Sequence, residues 1–98
     1  MKKINLVYVY EYKHADIAMV SDKIADDLEN VVQEFFKWIG NPANNESFLV
    51  SRNGKMVLSV GTDEFLWWLN QYMPTEEGIA VVIKRDTKAV TEYPTADF

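Results

Sequence analysis

The chain has a single histidine, His14, and no cysteine. Imidazole suits general acid–base work near neutral pH, but it needs a partner that orients it. Glu11 and Asp16 are the carboxylates closest to it in sequence. Tyrosine and histidine at strand ends occur in small lyases and isomerases. Tyr8, Tyr10, Tyr12 and His14 therefore form one candidate ligand-contacting set, weighed against the more frequent case of a bystander histidine. Ser21, Ser47, Ser51 and Ser59 stand in no nucleophile-elbow or lysine-paired context. Gly61-Thr62 leads into a helix start, where anions often bind, but Asp63 and Glu64 already occupy that positive end and repel phosphate. No catalytic constellation and no cofactor motif stands out, so a non-enzymatic role is favoured and no cofactor is expected.

A second group is acidic. Asp22, Asp26 and Glu29 recur at i, i+4 and i+7, with Asp27 and Glu34 nearby. On one helix they make a stripe. Its default role is a solvated face, and its functional reading is a docking surface for a basic protein. A calcium or magnesium site usually adds loop carbonyls and a turn glycine, and neither accompanies these residues, so no metal is expected.

The third group is aromatic. In the segment 62–73, Phe65, Trp68, Leu69 and Tyr72 share an inward stripe at helical spacing. Trp67 falls on the other side, beside Asp63, Asn70 and Gln71. An outward tryptophan on a polar face is the kind of residue that anchors an interface. Trp67, Asn70 and Gln71 are expected to form one contact patch, unless Val90, Tyr93 or Phe98 of the C-terminal segment folds over the indole. Tyr8, Tyr10 and Tyr12 alternate along a strand and share one face. That face is either core beneath the helices, or an open platform that packs on a second copy.

Composition limits the partners. Of the 98 residues, 48% are hydrophobic and 13% aromatic, enough for one domain over residues 1–98 with a core that needs no staples. The net charge is −5. No basic stripe offsets it, and KMVLSVG lacks the aromatic and basic residues of an RNA-binding strand, so nucleic acid is disfavoured. The apolar run after Met1-Lys2-Lys3 is too short and tyrosine-rich for a signal peptide, and no stretch approaches the ~20 residues of a membrane span. The absence of cysteine fits a cytoplasmic location.

The elements that must position these groups follow from periodicity. Residues 3–12 alternate as a central strand. Residues 13–20 (KHADIAMV) are ambiguous, so the first helix starts somewhere between Asp16 and Asp22. Ile24, Leu28, Val31, Val32, Phe35 and Ile39 give it an apolar stripe, and Gly40 and Pro42 end it. Asn53-Gly54 between 46–52 and 55–60 predicts a hairpin, because both turn residues tolerate positive φ. A second helix follows from Thr62 to about Met73. Residues 79–84 read as a strand, Arg85-Asp86-Thr87 as a turn, 88–93 as a weak fifth edge strand, and 94–98 as a loose tail unless Phe98 docks.

The order strand, helix, strand, turn, strand, helix, strand resembles the ferredoxin-like split βαβ plan. It implies an α+β domain with an antiparallel sheet in order 4-1-3-2 and both helices on one face. The resemblance is one of topology and fixes no activity. The leading expectation is a small acidic protein-binding module, acting stoichiometrically as inhibitors, immunity proteins and antitoxins do. The alternative is a ferredoxin-like homodimer, a small-molecule-binding protein or enzyme with its site on the open sheet face.

Overall fold

In the computed structural model, residues 1–9 and 13–98 are described. The elements are β1 (Lys2–Val9), β2 (Lys13–Val20), α1 (Asp22–Asp26), α2 (Leu28–Gly40) and α3 (Pro42–Asn45). A 3-10 turn (Glu46–Phe48), β3 (Leu49–Arg52), β4 (Lys55–Leu58), α4 (Thr62–Tyr72), β5 (Val81–Lys88) and β6 (Thr95–Asp97) follow. The fold is α+β with two sheets. Four strands lie in the order β5-β2-β1-β6, and β3-β4 form a separate two-stranded sheet.

This topology replaces the ferredoxin-like plan, and the departure starts at residues 13–20. They form β2, which pairs antiparallel with β1 from Lys2↔Val20 to Val9↔Lys13. Ala15 through Ala18 and Val20 are all buried. A strand covered on both sides loses its alternation, and periodicity alone cannot separate it from a buried helical segment. The helix begins at Asp22, the late end of the expected range, where the Ser21 hydroxyl accepts a hydrogen bond from the Ile24 N–H at 3.2 Å. It breaks at Asp27 and restarts at Leu28.

Asn53 and Gly54 take φ of 52° and 77° and close the hairpin that the Asn-Gly pair predicts. That hairpin does not join the main sheet, which is the second reason the 4-1-3-2 order fails. The third lies near the C-terminus. Arg85-Asp86-Thr87 is not a turn, because β5 runs on to Lys88 with Asp86 at φ 51° and the register against β2 shifted around Ile17. Residues 88–93 are not an edge strand beyond Lys88. Residues 94–98 are not loose either: β6 pairs parallel with β1 at Asn5↔Thr95, Leu6↔Ala96 and Val7↔Asp97. The main sheet is therefore mixed rather than antiparallel.

Pleating divides β1 between two environments. Ile4 and Leu6 join Ala18, Val20 and Ala96 in one core cluster with Ile24, Leu28, Val31, Phe35, Phe65, Trp68 and Leu69 from the helices. Phe35 lies at its centre, with ring centroids 5.3 Å from both Phe65 and Trp68. Phe98 docks at its edge, 5.3 Å from Phe65, while its backbone N–H donates to Val7 O. The alternate residues Asn5, Val7, Ala15 and Ile17 are buried on the opposite face. There the Asn5 side chain meets the backbone of Val90 and Tyr93, so the segment between β5 and β6 crosses this face.

Candidate functional site

Helix α2 carries more aromatic surface than one buried stripe can absorb. Phe35 takes the core position, and Trp38, one turn later at the stripe's margin, is left half-buried. Asn41 then turns the chain. Its side chain accepts from Ala43 N–H at 3.0 Å and caps α3, with Pro42 at the first helical position. The Asn44 amide donates to Trp38 O at 2.9 Å and ties α3 back onto the end of α2. This reversal brings Phe48 over the helix ends, and Ser59 N–H fixes it by donating to Phe48 O at 2.8 Å.

Four rings from three segments meet there. Trp38 lies 6.0 Å from Phe48, 6.1 Å from Trp67 and 5.3 Å from Tyr72, centroid to centroid. Trp67 lies 6.1 Å from Phe48 and 6.2 Å from Tyr72. Interplanar angles run from 50° to 76°, so the rings are tilted against one another rather than stacked. They line an open cleft of about 560 Å³, completed by Ala43, Asn44, Ser47, Asp63 and Glu64. A second cleft of about 420 Å³ shares Trp38, Asn44 and Tyr72 and continues toward Glu34, Lys37 and Trp68. Trp68 is buried, and its indole N–H has no acceptor among the described residues. Trp67 is 46% exposed and Tyr72 55%. Tyr72 thus belongs to this surface and not to the inward stripe expected of it.

The charges around the clefts mostly pair off. Arg85 holds Asp63 with two contacts, 2.7 and 3.4 Å. Lys37 pairs with Glu34 at 3.4 Å. Glu64 has no hydrogen-bond or ion-pair partner among the described residues.

The other candidate residues lie apart from the cleft. Asn70 does not face outward with Trp67. Its amide bonds to both backbone groups of Ala80, donating to O at 3.1 Å and accepting from N–H at 2.8 Å. Gln71 is exposed. The C-terminal segment does not cover Trp67, since Phe98 packs on Phe35, Phe36 and Phe65. Asp22, Asp26 and Glu29 do not share one helix, because the chain breaks at Asp27. Asp22 pairs with the Met1 amine at 2.9 Å and Asp26 with Lys2 at 2.5 Å. Hydrogen bonds to Glu77 and then Asp22 hold the Met1 amine above its ordinary pKa, and the hydrogen bond from that amine holds the Asp22 carboxyl below its own. Glu29 instead borders a third cleft of about 350 Å³ near Phe36 and Thr95.

His14 Nδ1 lies 2.7 Å from Asp86 Oδ1, across the β2–β5 pairing. Asp16, its expected neighbour, is buried: Oδ2 accepts from the Thr62 hydroxyl at 2.6 Å and Oδ1 from Asp86 N–H at 2.9 Å. Asp16 is thus a tie between β2, α4 and β5. Tyr8 lies in β1 opposite His14. Tyr10 and Tyr12 fall outside the described residues. Of that set only the His14 side chain is among those described, and the segment after β5 crosses part of the face opposite the helices. Among the described residues no group of three metal-ligating side chains converges, and no helix is long and apolar enough to cross a membrane.

Sequence reasoning placed Trp67 outward, as the structure has it, and missed Trp38, Phe48 and Glu64 as lining the same cleft. A usable signal existed: Phe35, Phe36 and Trp38 within four residues cannot all face one core. The fold and cleft define a small α+β protein with a solvent-facing aromatic surface. No family model, curated protein or solved structure matches this chain.

Proposed function

We propose that this protein is a small acidic binding module that holds a protein partner through the aromatic cleft, stoichiometrically and without catalysis. The supporting observation is the convergence of Trp38, Phe48, Trp67 and Tyr72 on one open cleft, with Trp67 and Tyr72 about half exposed. Aromatic side chains in a concave surface supply large contact area at low entropic cost, and they dominate binding energy where they occur. The adjoining cleft lengthens the groove across Trp38 and Tyr72, a shape suited to a polypeptide segment. Inhibition, immunity or antitoxin-like neutralisation of the partner is the proposed biological form. The alternative of a sheet-paired dimer loses its geometric basis with the ferredoxin-like sheet.

The test is a comparison of the natural protein with Trp67→Ala. Proteins from the source cells retained by the natural protein are purified and titrated against both. The partner is expected to bind the Trp67→Ala variant about tenfold or more weakly, the loss typical of an anchor residue. Equal affinity for both proteins removes the cleft as the recognition surface.

A further inference from the structure

We infer that the cleft receives a cationic side chain of the partner, specifically an arginine laid over the Trp67 indole with its guanidinium against Glu64. This rests on the binding-module reading and names the chemistry of its ligand. The charges at the rim lead to it. Asp63 is already satisfied by Arg85, and Glu34 by Lys37. Glu64 is left as the negative charge facing the cleft without a partner among the described residues. The whole chain carries −5, so the surrounding field also favours a cation.

The rings set the shape. Trp67 offers a half-exposed indole, and a tryptophan face attracts a cation more strongly than other aromatics do. The rings stand at 50° to 76° to one another and touch at 5.3–6.2 Å, so no broad flat platform is formed. A planar guanidinium needs only one indole face and one carboxylate beside it. It stacks on the first and forms paired hydrogen bonds with the second, which an ammonium cannot do in the same geometry. The protein already makes such a pair at the same rim, between Arg85 and Asp63.

The probe is a set of matched capped tripeptides, Gly-Arg-Gly, Gly-citrulline-Gly and Gly-Leu-Gly, with maltotriose as the sugar control. The readout is the indole N–H signals in NMR titrations, with the dispersed core signals as the fold control. The arginine peptide is expected to shift the Trp67 signal saturably. Replacing arginine by citrulline, or Glu64 by Gln, is expected to weaken binding about fivefold, the scale of one exposed cation–aromatic and ion-pair contact. Glu64→Gln is isosteric and removes only the charge, and the core signals report whether the fold is kept. Equal binding of the arginine, citrulline and leucine peptides overturns the cationic assignment while leaving the cleft a recognition surface. A response to maltotriose alone also overturns it. If no peptide shifts the indole signals, yet the purified partner still depends on Trp67, the cation inference falls and the binding-module reading stands.

Discussion

The side-chain amide of Asn5 and the backbone amide of Val90 bond to each other at both ends. Nδ2 donates to Val90 O at 2.8 Å and Oδ1 accepts from Val90 N–H at 2.9 Å. Asn70 does the same to Ala80. Ala80 directly precedes β5 and Val90 follows it after one intervening residue, so the edge strand is bracketed by two side chains that mimic a strand neighbour. Asn5 is fully buried and also reaches Thr95 Oγ1 at 3.0 Å. Asn5→Ala leaves these backbone groups unpaired and should lower stability by about 2–3 kcal/mol. Urea denaturation measures the loss, and hydrogen exchange should show β6 released first.

Asp16 is the second prediction. Its carboxylate serves the Thr62 hydroxyl and the Asp86 N–H from a position 5% exposed. Asp16→Ala orphans both donors and should lower stability by about 2–3 kcal/mol. Asp16→Asn keeps one acceptor oxygen and should lose less. A larger loss for asparagine than for alanine in denaturant titrations contradicts the hydrogen-bonding account.

Neighbouring tryptophans on α4 should separate recognition from stability. Trp68 is buried in the core, and Trp68→Ala should cost about 3–5 kcal/mol. Trp67 is 46% exposed and should cost only about 1 kcal/mol when cut to alanine. Thermal unfolding of the two variants decides whether Trp67 is spare surface or hidden core.

The β3-β4 hairpin should unfold by itself. All but one of its strand residues are exposed, and it belongs to no larger sheet. Gly54 holds φ 77° with open space around it, so Gly54→Val suffers backbone strain without any clash. Exchange protection at 49–58 should fall, at a local cost of about 1 kcal/mol. The global denaturation midpoint should stay in place; a shift of that midpoint would tie the hairpin to the core.

The corner at Met1 should respond to pH. The Met1 amine is held above its ordinary 8.0, mainly by hydrogen bonding to Glu77 and then Asp22. A raised folded pKa gives a contribution that is full below 8.0 and disappears as pH climbs through the raised value. Asp22 is held below its ordinary 3.8 by the same amine, so its contribution is full above 3.8 and disappears as pH falls through the lowered value. The pair therefore supports the fold between these limits. In an NMR titration, Asp22→Asn should move the amine back toward 8.0 but not all the way, because Glu77 remains 2.9 Å away.

Local signals were legible wherever one residue type has one job. Asn53-Gly54 gave its turn, and Phe65, Trp68 and Leu69 gave the buried side of α4. Topology was less legible because two strands hid their character. Residues 15–18, within 13–20, are buried on both faces and show neither period clearly, and 81–88 contains a bulge at Asp86 that reads as a turn. The fate of 94–98 depended on a tertiary partner: Thr95–Asp97 become a strand only because β1 offers its edge. Trp67 could be placed from one helix, but two of its ring neighbours, Trp38 and Phe48, come from α2 and the 3-10 turn, so no single segment announces the cleft.

The brackets around β5 are made by neutral amides, whereas the Met1 corner is made by ions. Acid, alkali and salt act on the second kind of joint and barely touch the first. Salt that loosens the start of the chain should therefore leave the two ends of the edge strand seated, while the ion pairs His14–Asp86 and Arg85–Asp63 along that strand weaken together with the Met1 corner.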